Sequence, residues 1–137
     1  MAKPQRTRPA NLQEARVRLR SAAAYLEVAE LVLDEKDRAE MPGVAAGLAV
    51  LAGIAAADAL CICRLGEIHR GEDHRGAAAL IQQATPDGKK LAGVFLRLVD
   101  IKDEAHYGLV VVPARRARDS ARWAKQLVAR AREEVER

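Results

Sequence analysis

The sequence predicts an all-α protein, an up-and-down bundle of about five helices. Apolar residues recur at helical spacing through four long segments of the chain. Half of the residues are apolar but only 3% are aromatic, so the core must be built from Ala, Leu, Val and Ile, which let helices approach closely. The links between periodic segments are short, which favours antiparallel neighbours. No segment reads as a convincing strand, and 137 residues suffice for one domain with a sizeable core.

Residues 1–10 contain two prolines and three basic residues and are expected to form a disordered basic tail, leaving 11–137 as a single helical domain. The first helix is predicted over about 11–36. Ala22, Tyr25, Leu26, Ala29, Val32 and Leu33 mark its inner face, and Arg16, Arg18, Arg20, Glu27 and Glu30 its outer one. Pro42 is a favoured first helical residue and Gly66 a natural C-terminal cap, so a second helix spans the interval between them. Along it Val44, Leu48, Leu51, Ala55, Asp58, Ile62 and Leu65 form one stripe, with Asp58 on the stripe. Gly43, Gly47 and Gly53 would each cost about 1 kcal/mol relative to alanine, which suggests close packing against another helix as compensation. The 44–63 run is long enough to cross a bilayer. Asp58 at depth, the weak hydrophobicity of Ala and Gly and the lack of a second span favour a buried helix and no membrane contact.

A third helix is expected over about 73–84 with Asp73 as its N-cap, then a turn at Thr85-Pro86-Asp87-Gly88. The fourth is expected over about 88–107, with Leu91, Val94, Phe95, Leu98, Lys102 and Ala105 inward. Leu109-Val110-Val111-Val112 reads as an apolar connector tucked against the bundle. The last helix begins at Pro113, and Ala117, Ala121, Ala124, Val128, Ala131 and Val135 alternate in steps of four and three, a coiled-coil-like seam.

Charge and cysteines narrow the function classes. The net charge is +4, with basic ends: residues 1–20 carry six Lys/Arg and one Glu, and 115–137 carry eight Lys/Arg and four acids. Such ends either steer RNA toward the bundle or are simply solvated faces. Few aromatics argue against a base-stacking platform. Cys61 and Cys63 point about 200° apart on a helix and cannot bridge each other. With no apolar signal core at the N-terminus, reduced cysteines fit a cytoplasmic protein. No zinc spacing, phosphate-cradling loop, nucleophile elbow or dinucleotide fingerprint is present, so neither metal nor cofactor is expected.

The residues with chemical potential are Asp58, His74, Lys102, His106 and Tyr107. A carboxylate on a buried helix needs a partner, and an Asp58–Lys102 pair is the simplest solution for both. Lys102 and His106 are four apart and share a helix face. A neighbouring cation favours neutral imidazole, so His106 can serve as a general base. Lys102 can stabilise a phosphorane-like transition state, and His74 or Tyr107 can supply the second proton-transfer group. These are the parts of metal-independent RNA cleavage. Each has a plainer reading: a structural ion pair, a histidine capping helical carbonyls, a helix-start histidine bonded to backbone or to Asp58, a packed tyrosine. His69, among polar residues between helices, reads as an exposed loop residue.

The segments Leu51-Ala-Gly-Ile-Ala-Ala-Ala-Asp58-Ala-Leu-Cys61, Leu65-Gly66, Asp73-His74-Arg75 and Leu96-Arg97-Leu98-Val99-Asp100-Ile101-Lys102-Asp103-Glu104-Ala105-His106-Tyr107 together resemble small actinobacterial HEPN-like helical proteins, over roughly residues 20–132. The resemblance implies a helical bundle paired into a two-fold homodimer. It also implies a ribonuclease activity on RNA or a nucleotide, in toxin–antitoxin or phage-defence settings, beside a nucleotidyltransferase-type partner protein. The HEPN site is an Arg, four to six residues, then a His. Here Arg97 and His106 are separated by eight residues and Lys102 and His106 by three, so Lys102 would stand in for the arginine. Lysine is the weaker bidentate clamp for phosphate. Two functions follow: a HEPN-like ribonuclease with His106 as base, Lys102 as phosphate contact and Asp58 as orienter, or a non-catalytic helical dimer serving as an interaction module, antitoxin-like partner or small-molecule sensor.

Overall fold

Alanine and glycine so dominate the second helix that it can be packed on nearly every side, and it forms the axis of the fold. In the computed structural model, which describes residues 6–71, 73–102, 105 and 109–137, helix α2 (Met41–Leu65) has fourteen buried residues distributed around its circumference. Helix α1 (Leu12–Leu33), α3 (His74–Ala84), α4 (Gly88–Val99) and α5 (Ala114–Val135) all pack against it. Among the described residues the fold is an all-α bundle of five helices, with one small two-stranded sheet.

The helix ends follow local chemistry. Asn11 caps α1: its side chain accepts from the Glu14 amide while Glu14 accepts from the Asn11 amide, a capping box. Gly66 ends α2 in the left-handed region at φ 70°, and its amide bonds Ile62 O at 2.8 Å. Asp73 caps α3 as expected, through the Arg75 amide. Helix α4 stops at Val99, shorter than the expected 88–107. Asp100 and Ile101 form a turn, and Lys102 and Ala105 are helical again beyond it.

Packing fixes the directions. Arg18 of α1 reaches Asp58 near the far end of α2, while Val32 and Leu33 pack with Ala45 and Ala46 near its start, so α1 runs antiparallel to α2. Leu98 of α4 lies against Gly53, and Ile101 lies with Ala45 and Ala46, so α4 also runs antiparallel to α2. Helix α5 runs alongside α2 in the same direction, Ala117 by Ala45 and Glu134 by Arg64. Its seam is as expected: Ala117, Ala121, Ala124, Val128, Ala131 and Val135 are all buried, joined by Leu127.

Four expectations are corrected. The stripe from Val44 to Leu65 on α2 is not uniformly internal: Val44 and Leu51 are exposed, Ala55 and Ile62 buried. The helix is covered by its small residues instead, because those are the positions where neighbours come closest. Leu109, Val110 and Val111 are exposed rather than tucked in, and only Val112 of that run is buried. Residues 6–10 do not form a free tail. Strand β1 (Thr7–Pro9) pairs antiparallel with β2 (Glu67–His69), Arg8 opposite Ile68, so the expectation of no strand also fails. The pairing extends through Ala10 N to Gly66 O at 3.0 Å and Arg70 N to Arg6 O at 2.8 Å. Three-residue strands are too short for alternation to reveal them, and Pro9 fits an edge strand because it has no amide to satisfy. Residues 1–5 lie outside the described residues.

Helix α2 is long and apolar enough to cross a membrane, and most of its apolar core is buried within the bundle. The close approach at Gly53 is specific. A Cβ there would overlap Leu98 Cδ2, whereas one at Gly43 would meet only Val112 at ordinary contact, 3.6 Å. Gly53→Ala should therefore destabilise by about 1–3 kcal/mol despite alanine's better helix propensity. Gly43→Ala should be neutral or gain a few tenths of a kcal/mol. Thermal melts of the two variants check the contrast; equal shifts would contradict it.

Candidate functional site

The carboxylate on the apolar helix is answered by arginine, not lysine. Arg18 Nε and Nη2 donate to Asp58 Oδ2 at 3.1 and 2.9 Å. Arg18 comes from α1, whose start is held by the Asn11 box, and its planar fork sets two donors on one oxygen. Asp58 is 18% exposed and Arg18 33%, so the pair lies at the margin of the core rather than inside it. Burial pushes the Asp58 carboxyl above its ordinary range, opposed by the charge and hydrogen bonds of Arg18 and, less strongly, by His69 and Arg8. Arg8 itself pairs with Glu14 at 3.2 Å.

Lys102 does not join this cluster. Its neighbour Ile101 packs with Ala45 and Ala46. Asp58 is twelve residues beyond Ala46, roughly 18 Å along the helix axis. The expected Asp58–Lys102 pair is therefore replaced by Arg18–Asp58. The expectation missed Arg18 because its periodicity placed that residue on the outer face of α1. Arg18 lies on the flank turned toward α2, and its long stem carries the charge across.

His74 stands at the first position of α3, its ring edge-on to Phe95 with centroids 6.2 Å apart. His106 and Tyr107 lie outside the described residues. Of the five site residues read from the sequence, Asp58 and Lys102 lie toward opposite ends of α2.

His69 corrects another expectation. It is half-buried in β2 rather than exposed in a loop, opposite Thr7. Its ring lies against Gly76, where a Cβ would come within 2.7 Å of His69 Cε1. Both ring nitrogens are buried and, among the described residues, neither has a hydrogen-bond partner. The short sheet holds this ring near Asp58.

A second polar cluster lies where the C-terminal ends of α2 and α5 meet. Glu134 of α5 is buried, and its carboxylate receives Arg130 at 2.6 Å and Arg64 at 3.1 Å. Arg130 also forks onto Asp87 at 3.0 and 3.3 Å, and Arg64 donates to Ala84 O at 3.0 Å. Cys63 Sγ donates to Glu134 O at 3.3 Å. The hydrogen bond from Arg130 holds the Glu134 carboxyl below its ordinary range, and Asp87 is lowered by the same arginine. Arg130 and Glu134 are four apart on one helix, the sequence signal that could have flagged this lock. Cys61 is buried and its thiol is pushed up to about 12 by desolvation, which makes it a poor nucleophile. Among the described residues no group of three His, Cys, Asp or Glu side chains is placed to hold a metal ion.

These arrangements are held together by charge pairing, and both are testable. Arg18→Ala leaves Asp58 mostly buried with no forked cation and should cost about 2 kcal/mol in denaturant unfolding; a cost near zero would mean that the pair is idle. Glu134 ionises more readily folded than unfolded. Its stabilising contribution is therefore full above its ordinary value of 4.5 and is lost as pH falls through the lowered folded value. Glu134→Gln should flatten the fall of melting temperature below about pH 4.5. An acid limb as steep as the parent's would contradict the role given to that carboxylate.

No protein-family model and no curated protein matches the chain.

Proposed function

We propose that this chain is a non-catalytic helical interaction module of the cytoplasm, the bundle acting as a scaffold that presents helix faces to a protein partner. The observation that carries this reading is the pairing of Asp58. Its accepting oxygen is occupied by two nitrogens of Arg18, and Lys102 lies toward the opposite end of α2. A carboxylate so held is not placed to orient a base beside Lys102, and general acid–base chemistry needs its groups within hydrogen-bond reach of one another or of a shared substrate. Arg18–Asp58 and the Arg130–Glu134–Arg64 lock are instead what a bundle needs to fix its helices in register. The exposed apolar residues of α1 and of the 109–111 run support a surface made for protein contact.

The HEPN resemblance fits this reading as a resemblance of scaffold, with the nuclease motif incomplete. The RNA-cleaving alternative is separated by one assay. The purified protein, incubated with a mixed RNA pool without metal beside a stability-matched His106→Ala variant, should leave the RNA intact in both tubes. Cleavage by the parent and none by His106→Ala would overturn the module reading in favour of a metal-independent ribonuclease.

A further inference from the structure

Helix α1 carries two apolar seams rather than one. The inner seam, Ala15, Leu19, Ala22, Leu26 and Ala29, is buried in the core. Val17, Ser21, Ala24, Val28 and Leu31 advance in the same alternating steps of four and three, about 200° around the helix. This second seam faces away from the bundle: Val17 and Val28 are each 45% exposed, Leu31 65%, and Ala24 is exposed. A soluble helix normally gives that face to charged residues.

The charges lie beside the seam, and they are sorted by sign. Arg16, Arg20, Glu27, Glu30 and Asp34 share one flank and are all exposed. The first two, in the N-terminal half, are basic, and the last three, in the C-terminal half, are acidic. The acidic half also borders a groove of about 410 Å³ between α1 and α5, where Leu26, Leu31 and Val128 lie with Glu27, Glu30 and Asp34. Arg132 of α5 lines it as well.

A helix with such a sorted flank complements itself. When two copies of one helix pack antiparallel, like flanks face each other and the two ends are exchanged. With the two-fold axis near Ala24, Arg16 and Arg20 of each copy come level with Glu27, Glu30 and Asp34 of the other. Val17 comes level with Leu31, and Ser21 and Ala24 allow close approach at the centre. A parallel pair would set the two charged flanks on opposite sides of the dimer, where the basic half of one copy could not reach the acidic half of the other.

We infer that the outer face of α1 is a self-association surface, on which a second copy of this chain docks antiparallel through the Val17–Leu31 seam. The inference rests on the module reading above and names its partner. The pairing is of moderate strength, because the seam is short and its charged rim is solvated, and salt weakens it by screening that rim.

Sedimentation equilibrium of the full chain tests this. A monomer–dimer equilibrium is expected, loosened by added salt. Val28→Lys together with Leu31→Lys, both at exposed positions that leave the core untouched, sets like charges beside Arg16 and Arg20 of the other copy and should weaken the dimer about tenfold or more with helicity unchanged by circular dichroism. Arg20→Glu alone should weaken it, and adding Glu27→Arg should restore it, because the exchange occurs in both copies and re-forms the opposite-sign pairs. A monomer at every concentration, a dimer indifferent to the paired lysines at 28 and 31, or a charge exchange that fails to rescue would each overturn the proposal. Those results leave the module reading standing, whereas RNA cleavage that depends on His106 removes that reading whatever the sedimentation shows.

Discussion

Everything in this fold depends on the burial of α2 from nearly every direction. A helix enclosed by four others cannot carry large side chains all round, because interaxial distances would then exceed what its neighbours can bridge. Alanine at most enclosed positions and glycine where Leu98 presses in satisfy that constraint. The same constraint explains the low aromatic content. Phe95, Leu60, Leu80, Ile81, Leu98 and Ile101 are the largest side chains that are fully buried, and only one of them is aromatic.

A helix packed this way has little tolerance for charge, and the chain handles its exceptions at the margins. Asp58 sits where α1 and the short sheet meet α2, and Arg64 where α3 and α5 meet its C-terminal end. Arg18 forks onto the Asp58 carboxylate, and Arg64 divides its donors between the Glu134 carboxylate and Ala84 O. Paired this way, these groups set the rotation and register of neighbouring helices. Removing one partner strands the other, which is costlier than never having had the pair. His69 stands apart, a half-buried imidazole against Gly76 with both nitrogens unbonded among the described residues. Its place is set by the pairing of β2 with β1, where it stands opposite Thr7.

Much of the architecture was legible in the sequence. Pro42, Gly66, Asp73 and the Thr85–Gly88 turn mark helix boundaries through their own backbone preferences, and the seam on α5 is a pure periodicity. Three things were not legible. The sheet rests on six residues, too few for a pattern, and on a contact between chain segments about sixty residues apart. The partner of Asp58 depends on the rotation of α1 about its axis, which its apolar residues leave ambiguous because they form two seams. The fate of 109–111 depends on whether the bundle has room for them; α2 is already enclosed, and these side chains face out. Periodicity tells which residues share a face, but not which of two apolar faces turns inward.

The central claim is that Asp58 belongs to the architecture through Arg18 and not to a reaction centre through Lys102. The most direct measurement is a pair of double-mutant cycles in unfolding free energy, Arg18→Ala with Asp58→Ala and Lys102→Ala with Asp58→Ala. The account predicts a coupling of about 1–3 kcal/mol for Arg18 with Asp58 and additivity within about 0.5 kcal/mol for Lys102 with Asp58. Coupling to Lys102, or none to Arg18, would contradict it.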